Sequence, residues 1–139
     1  MVIIAIIPTT HREKIMKSIN TRNLTELQLS YLVGLLEYPH LVYGDTIGLH
    51  HASRSIIIPE LPEPLCYYNI NWTIAGGIIE REKISLTINS AGVWIAYNAY
   101  NYADREDFMY GSKNPLVAAM QCYVAMKLGE SVEIPEDLI

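Results

Sequence analysis

The amino-acid sequence predicts an α+β fold in which a small antiparallel β-sheet packs against two main helices. Two segments, about residues 25–37 and 114–128, combine helix-start signals with apolar residues at helical spacing. Short segments rich in β-branched and aromatic residues lie between them, separated by turn residues. Helices and strands do not alternate regularly, as they do in proteins with parallel sheets, and this favours α+β.

The composition indicates a single globular domain over residues 1–139. Half of the residues are hydrophobic and 18% are charged, which supplies enough apolar material for a core. The formal net charge of −5 argues against binding to duplex nucleic acid, which needs a basic face to displace phosphate counterions. A small anionic ligand is compatible with this charge, since a few arginines in one pocket can outweigh it.

The N-terminal region contains two predicted elements. Val2 to Ile7 is rich in isoleucine and valine, which favours a buried strand. The same run is too short to cross a membrane and follows no basic residues, so neither a targeting segment nor membrane binding is expected. His11 to Ile19 is expected to form a short helix.

The first main helix is predicted to begin at a capping box. Thr25 can accept a hydrogen bond from the amide three residues later, while the Gln28 side chain reaches back. Apolar residues at helical spacing continue to about Glu37, and Pro39 prevents the helix from continuing.

The region after this helix is expected to contain strands and a loop. Strands are predicted between Leu41 and Ile58, with a turn at Gly44-Asp45. Leu65 to Tyr68 is expected to be extended. Three prolines predict an irregular connection inside the one domain, namely Pro59, Pro62 and Pro64.

A β-hairpin is predicted in the second half of the chain. Its strands are Ser85 to Ile88 and Val93 to Tyr97, whose residue types suit strands. Before it, Ile78 to Glu82 is expected to be a short helix that follows a loop at Gly76-Gly77. After it, the polar, tyrosine-rich segment Asn98 to Lys113 is expected to be a loop.

The second main helix has clear signals at both ends. Asn114 suits the N-cap position and Pro115 the first helical position. Gly129 is placed to end the helix. The tail that follows, Glu130 to Ile139, is acidic and contains a proline.

Catalytic and metal-binding patterns are not expected in this chain. It lacks the nucleophile elbow, the zinc-protease motif, the P-loop and the dinucleotide-binding motif. Glu80 and Glu82 flank Arg81, which favours an ion pair or a solvated turn over acid/base work. Cys66 and Cys122 are expected to be free thiols, and the four histidines lack metal-ligand spacing. We therefore expect no enzyme activity, cofactor or metal site.

The aromatic residues are the stronger functional signal. Ten tyrosines and two tryptophans can stack on bases and also offer polar groups. Trp72 lies near a glycine pair and Trp94 in a short strand, and for each the alternative role is core packing or a subunit interface. Arg54 and Arg105 lie in or beside predicted loops and are the better phosphate candidates.

Several segments together resemble a family of small bacteriophage proteins that includes the NinX proteins and the anti-Thoeris sponges. The resemblance extends from about residue 24 to the end, and residues 1–20 look like an addition to the family core. The segments that carry it are Leu24-Thr25, Trp72 to Glu82, Val93-Trp94-Ile95-Ala96, Asn114 to Gly129 and Val132 to Leu138.

The resemblance implies a binding function. Sponge members of the family sequester cyclic ADP-ribose isomers made by bacterial TIR-domain defence enzymes, and some bind cyclic oligonucleotide signals. They do not cleave the ligand, and they form homo-oligomers, from dimers up to hexamers, with pockets at subunit interfaces. The implied location is the cytoplasm of the infected bacterial host.

The resemblance also implies ligand contacts. Trp94 corresponds to the family aromatic that stacks on adenine, and Gly77 and Ile78 belong to a loop expected near the base. Gln121 stands where the family usually has a phosphate-binding arginine, and a Gln brings a hydrogen-bond donor but no charge. The expected contacts are completed by residues of the surrounding loops, namely Asn69, Arg54 and Arg105. The alternative is an oligomeric protein–protein interaction module that has no nucleotide pocket.

Overall fold

The computed structural model describes residues 15–98 and 109–139, and its architecture is α+β as predicted. The helices are α1 (Glu26–Glu37), α2 (Trp72–Glu82) and α3 (Pro115–Leu128). The strands are β1 (Met16–Asn20), β2 (Gly48–His50), β3 (Ser55–Ile57), β4 (Ile84–Ile88), β5 (Trp94–Asn98), β6 (Tyr110–Ser112) and β7 (Ser131–Pro135). Short 3-10 helices span Thr21–Asn23 and Glu136–Leu138. The strand predicted over Val2 to Ile7 lies outside the described residues.

Helix α3 occupies the centre of the fold. The Asn114 side chain accepts a hydrogen bond from the Leu116 amide at 2.9 Å, and the helix ends at Gly129, whose φ is 94°. Its residues from Ala118 to Val124 are buried, and it packs against α1, α2 and strands β4 to β6. The predicted start and end of this helix are confirmed. No helix within residues 15–98 and 109–139 has the length and apolar character that crossing a membrane requires.

Helix α1 begins at the predicted capping box. The Thr25 amide donates to Gln28 Oε1 at 3.0 Å, and the Gln28 amide donates to Thr25 Oγ1 at 3.3 Å. Gln28 Nε2 also donates to the carbonyl of Leu138 at 3.0 Å, which joins this helix start to the C-terminal region. The capping residues therefore stabilise both local and long-range structure.

A three-stranded antiparallel sheet, in the order β4-β5-β6, covers one side of α3. The hairpin of β4 and β5 turns at Asn89 to Gly92, where Gly92 has a φ of 78° that favours glycine. This hairpin is confirmed. The loop predicted over residues 98–113 is wrong at β6, because Tyr110 lies opposite Ala96 and is buried.

A second sheet joins β1 and β7, and it corrects the predicted N-terminal helix. Residues 16–20 pair with residues 131–135, so His11 to Ile19 is not helical over its described part. Ile19 lies opposite Val132, which is buried, and the Thr21 amide donates to the carbonyl of Glu130 at 2.8 Å. Pairing with the C-terminal strand therefore outweighs the helical tendency of this short segment.

Helix α2 starts earlier than the sequence predicts. Asn71 is its N-cap and accepts from the Ile74 amide at 2.9 Å, so Gly76 and Gly77 lie inside the helix and not in a loop. Ala75 and Ile78 are buried against the core. Their burial offsets the low helix propensity of two adjacent glycines.

A short hairpin, whose second strand contacts α1, precedes the proline-rich loop. Strands β2 and β3 pair in antiparallel fashion, with Leu49 opposite Ile56. The chain then passes through the three prolines and returns at Tyr67, which bridges Ile57. Residues 63–66 form a turn, so the extended stretch predicted from Leu65 begins only at Tyr67. This arrangement brings the proline loop beside the start of α2.

Candidate functional site

A groove of about 500 Å³ lies between the end of α1, the proline loop and the start of α2. Its volume is in the range that small-molecule sites occupy, about 300–1,000 Å³. The lining combines aromatic, apolar and polar side chains, namely Glu37, Tyr38, Leu61, Pro64, Leu65, Tyr67, Tyr68, Asn71, Thr73 and Ile74. The groove is the candidate site because it brings rings and hydrogen-bonding groups together in one concave surface.

Three tyrosines give the groove its aromatic character. Tyr68 is buried and packs edge-on against Tyr38, with 6.1 Å between the ring centroids. Tyr67 is 39% exposed, and its ring meets His50 edge-on at 5.4 Å. Tyr67 is therefore the accessible ring of this set, held by a neighbour, and it can stack on a planar ligand.

The start of α2 forms one wall of the groove. The Asn71 carbonyl accepts from the Ala75 amide at 2.8 Å, and its side chain accepts from Ile74. The first amides of a helix have no partner within the helix, and this end carries a partial positive charge. Because Asn71 and Thr73 line the groove, the first turn of α2 offers an electropositive edge to an anionic group.

Glu37 is the charged residue of the groove lining among the described residues, and it is fixed in place by two other helices. Its Oε1 accepts from Arg81 Nη1 at 3.0 Å, and its Oε2 accepts from Arg81 Nη2 at 2.8 Å. The Tyr123 hydroxyl donates to Oε2 at 2.7 Å. Arg81 also contacts Glu82, which in turn pairs with Lys127 at 2.9 Å. These contacts join the C-terminal ends of α1 and α2 to α3.

The hydrogen bonds of this cluster influence the protonation states of Glu37 and Tyr123. The Arg81 guanidinium holds the pKa of the Glu37 carboxyl below its ordinary value, although partial burial opposes the shift. Burial and the hydrogen bond to Glu37 raise the pKa of the Tyr123 hydroxyl. Glu37 is therefore an ionised acceptor, and Tyr123 a neutral donor, at neutral pH.

A second, smaller cavity of about 280 Å³ lies beside the β2–β3 hairpin. Its lining includes the carboxylates of Asp45 and Asp137, and Tyr43 donates to Asp137 Oδ2 at 3.3 Å. Burial and the nearby Asp137 raise the pKa of Tyr43 to about 12. Two carboxylates in a small space disfavour an anionic ligand, so the larger groove is the better candidate for one.

The family model for bacteriophage P22 NinX matches residues 20–127, which is more than half of the chain. The chain belongs to the NinX family. A search of curated proteins found no match to the chain. The NinX match contains α1, α2 and the three-stranded sheet, and it begins at Asn20. The predicted membership in a small bacteriophage family is confirmed, while the link to the anti-Thoeris sponges stays a prediction.

Two of the predicted ligand residues lie in or against the core of this NinX-family fold. Trp94 sits on the central strand β5 opposite Ser112, half-buried and packed against core side chains. Gln121 is 5% exposed, and its Nε2 donates to the carbonyls of Arg22 at 3.2 Å and Leu24 at 3.5 Å. The side-chain amide of Gln121 therefore links α3 to the segment that precedes α1. Neither Trp94 nor Gln121 lines the groove.

Three further predicted residues, Gly77, Ile78 and Asn69, lie outside the groove lining. Gly77 is exposed inside α2, whereas Ile78 is 2% exposed and belongs to the core. Asn69 lies two residues before the groove residue Asn71, and its Nδ2 donates to Ser55 Oγ at 3.4 Å. Of the three, Asn69 is the nearest in sequence to a groove residue, because it directly follows Tyr68.

Arg54, one of the two predicted phosphate-binding arginines, does not line the groove. Arg54 is exposed in the turn between β2 and β3, with a φ of 52°. Arg105 lies outside the described residues. Within the described ranges, no three His, Cys, Asp or Glu side chains come together as metal ligands.

The groove residues that sequence reasoning missed come from three separate segments. Glu37 and Tyr38 end α1, Tyr67 follows the proline loop, and Asn71 caps α2. One signal was present in the sequence, because Asn71 precedes Ile74 at capping distance and lies three residues after Tyr68. That signal marks a helix start beside aromatic residues.

Proposed function

We propose that this protein is a bacteriophage anti-defence sponge, which binds a cyclic nucleotide immune signal and holds it intact. The ligand class is a cyclic ADP-ribose isomer or a cyclic oligonucleotide. Sequestration requires tight binding and no turnover, so that the free signal stays below the level that activates its effector. The site of action is the cytoplasm of the infected host.

The observation that carries the proposal is the aromatic groove at the start of α2. A purine base needs a ring to stack on, and Tyr67 offers an exposed one. A phosphate needs donors, and the first turn of α2 lies along the same groove. The groove volume of about 500 Å³ suits a ligand of nucleotide size.

The properties of Glu37 and Cys122, two side chains that could take part in cleavage, support binding without cleavage. Glu37 is held by Arg81 and Tyr123 with a lowered pKa, which makes it a poor proton donor. Cys122 is buried in α3, and burial raises the pKa of its thiol to about 12, so it is a poor nucleophile at neutral pH. These properties support a protein that holds its ligand without turnover.

Self-association is part of the proposal, with dimers or larger assemblies that place ligand pockets between subunits. Leu65 lines the groove and is 59% exposed, and Trp72, between groove residues 71 and 73, is 58% exposed. Large exposed apolar side chains near a concave site are typical of surfaces that a partner covers. Light scattering coupled to gel filtration measures the assembly size with and without ligand.

The test is a retention experiment. The purified protein is mixed with a cyclic ADP-ribose isomer or a cyclic oligonucleotide, freed of unbound ligand and denatured by heat. Mass spectrometry of the supernatant should find the intact ligand. A hydrolysed product would mean an enzyme, and the absence of every cyclic nucleotide would contradict the proposal.

A second candidate function is an oligomeric protein–protein interaction module. The observation that favours it is the same exposed apolar pair, Leu65 and Trp72, together with a groove lining that contains no lysine or arginine among its described residues. On this alternative, the tyrosines contact a second protein chain. Retention of a cyclic nucleotide by a stable monomer would rule it out.

A further inference from the structure

Glu37 has more hydrogen-bonding capacity than its neighbours use. A carboxylate has two oxygens with about four acceptor positions. Arg81 Nη1 occupies one position on Oε1, while Arg81 Nη2 and the Tyr123 hydroxyl occupy two on Oε2. The side chain is 21% exposed and lines the groove, so one acceptor position on Oε1 remains for a ligand.

The position of this carboxylate is fixed before a ligand arrives. Arg81 comes from α2 and Tyr123 from α3, and together they grip Glu37 at the end of α1. Pre-organisation of this kind favours a directional hydrogen bond, because little conformational entropy remains to be lost on binding.

The charge of Glu37 limits what can lie next to it. An ionised carboxylate accepts hydrogen bonds but does not donate them, and it repels a phosphate. Hydroxyl groups suit it, and a charge-assisted hydrogen bond from a hydroxyl to a carboxylate is among the stronger ones. The tyrosines of the same groove suit a base. A ribonucleoside combines these two kinds of group, and carboxylates bind ribose hydroxyls in other nucleotide sites.

We propose that Glu37 recognises the ribose of the bound ligand, because its Oε1 accepts a hydrogen bond from a ribose hydroxyl. The groove then holds the ribonucleoside part of the ligand, and the phosphates lie away from Glu37. This inference rests on the proposed function, since it takes the groove as a nucleotide site.

The first experiment changes the ligand and leaves the protein intact. Calorimetry or ligand-observed NMR compares adenosine, 2′,3′-dideoxyadenosine and inosine as probes. The dideoxy compound should bind about tenfold more weakly than adenosine, as expected for the loss of a hydrogen bond to a charged group. Inosine should bind within about twofold of adenosine, the change expected where no strong hydrogen bond is lost. Equal binding of the dideoxy compound, or a loss with inosine alone, would overturn the assignment.

The second experiment changes the protein and includes a matched control. In Glu37→Gln, the amide oxygen has two acceptor positions, and the donors of Arg81 and Tyr123 fill them. This variant should lose the preference for adenosine over the dideoxy compound. Glu82→Gln removes another carboxylate from Arg81 but does not alter the groove lining, and it should keep the preference. A Glu37→Gln protein that still discriminates would overturn the inference.

Failure of this inference and failure of the proposed function give different results. If the protein retains a cyclic nucleotide but binds adenosine and the dideoxy compound equally, the sponge function is supported and the role proposed for Glu37 is contradicted. If the protein prefers adenosine to the dideoxy compound but retains no cyclic nucleotide, the role of Glu37 is supported and the sponge function is contradicted. Thermal melting of both variants checks folding, and the wild-type ligand series decides the matter if Glu37→Gln does not fold.

Discussion

The groove at the start of α2 and the region around Trp94 and Gln121 differ in how available their polar groups are. Glu37, in the groove, keeps an acceptor position that neighbouring residues do not use. Gln121 is nearly fully buried and directs its amide to two backbone carbonyls. A residue type that suits a ligand therefore indicates a contact only when its hydrogen-bonding groups are free and accessible.

The aromatic residues of the two regions differ in their exposure to solvent. Tyr67 lines the groove and is exposed, whereas Trp94 is half-buried against the core on the central strand of the sheet. The family resemblance assigns adenine stacking to Trp94, and the groove geometry favours Tyr67. Substitutions at Tyr67, Trp94 and Gln121 separate these two assignments.

The largest expected effect is on stability, from Gln121→Ala. This change removes the hydrogen bonds that Gln121 Nε2 donates to the carbonyls of Arg22 and Leu24, and it opens a cavity in the core. We expect a loss of about 3 kcal/mol in the free energy of unfolding, measured by urea denaturation. The exposed Asn69→Ala serves as control and should change stability by less than about 0.5 kcal/mol. Unchanged stability with lost ligand retention would identify Gln121 as a ligand contact.

The next effect is on ligand affinity, from Tyr67→Ala. Loss of one base-stacking ring should weaken cyclic nucleotide binding about tenfold or more, measured by calorimetry. Stability should fall by less than about 1 kcal/mol, because the ring is substantially exposed. Trp94→Ala should do the reverse, lowering stability while the folded protein keeps its affinity. The opposite pattern would restore Trp94 as the stacking residue.

The smallest expected effect is the response of the groove cluster to acid. The pKa values of the Glu37 and Glu82 carboxyls are lowered, chiefly by hydrogen bonds from Arg81. The folded state thus binds fewer protons than the unfolded chain, so this stabilisation is complete above the ordinary Glu pKa of 4.5. It is lost as the pH falls through the lower folded-state values.

The size of that loss is about 1 kcal/mol, because Arg81 is half exposed and solvent screens its ion pairs. Urea denaturation at several pH values measures it, and Glu37→Gln should lose less stability on acidification than the wild type. An identical pH dependence in both proteins would contradict the role assigned to the Glu37–Arg81 pair.

The sequence correctly predicts the elements that form through contacts between residues close together in the chain. The capping box at Thr25, the Asn114-Pro115 helix start and the β4–β5 hairpin are all predicted by the sequence and are confirmed. Each depends on hydrogen bonds or backbone angles within a few residues. The β1–β7 sheet was missed because its strands lie far apart in the chain, and β1 contains Ile19 among mostly polar and exposed residues.

The groove could not be predicted for the same reason. Its parts become neighbours only when α1, the proline loop and α2 pack together, and the glycine pair Gly76-Gly77 predicts a loop where α2 is helical. The role of Gln121 also depends on packing, since its sequence position does not indicate which carbonyls it meets. Capping of α2 by Asn71 was the one local signal that pointed to the groove.

The central claim is that the groove, and not the Trp94–Gln121 region, holds the ligand, and the two tryptophans of the chain test it directly. Trp94→Phe leaves Trp72, which lies between groove residues 71 and 73, as the fluorescent reporter. Trp72→Phe leaves Trp94. On titration with a cyclic ADP-ribose isomer that the protein retains, the emission should change in Trp94→Phe and stay constant in Trp72→Phe. A change confined to Trp72→Phe would contradict the account.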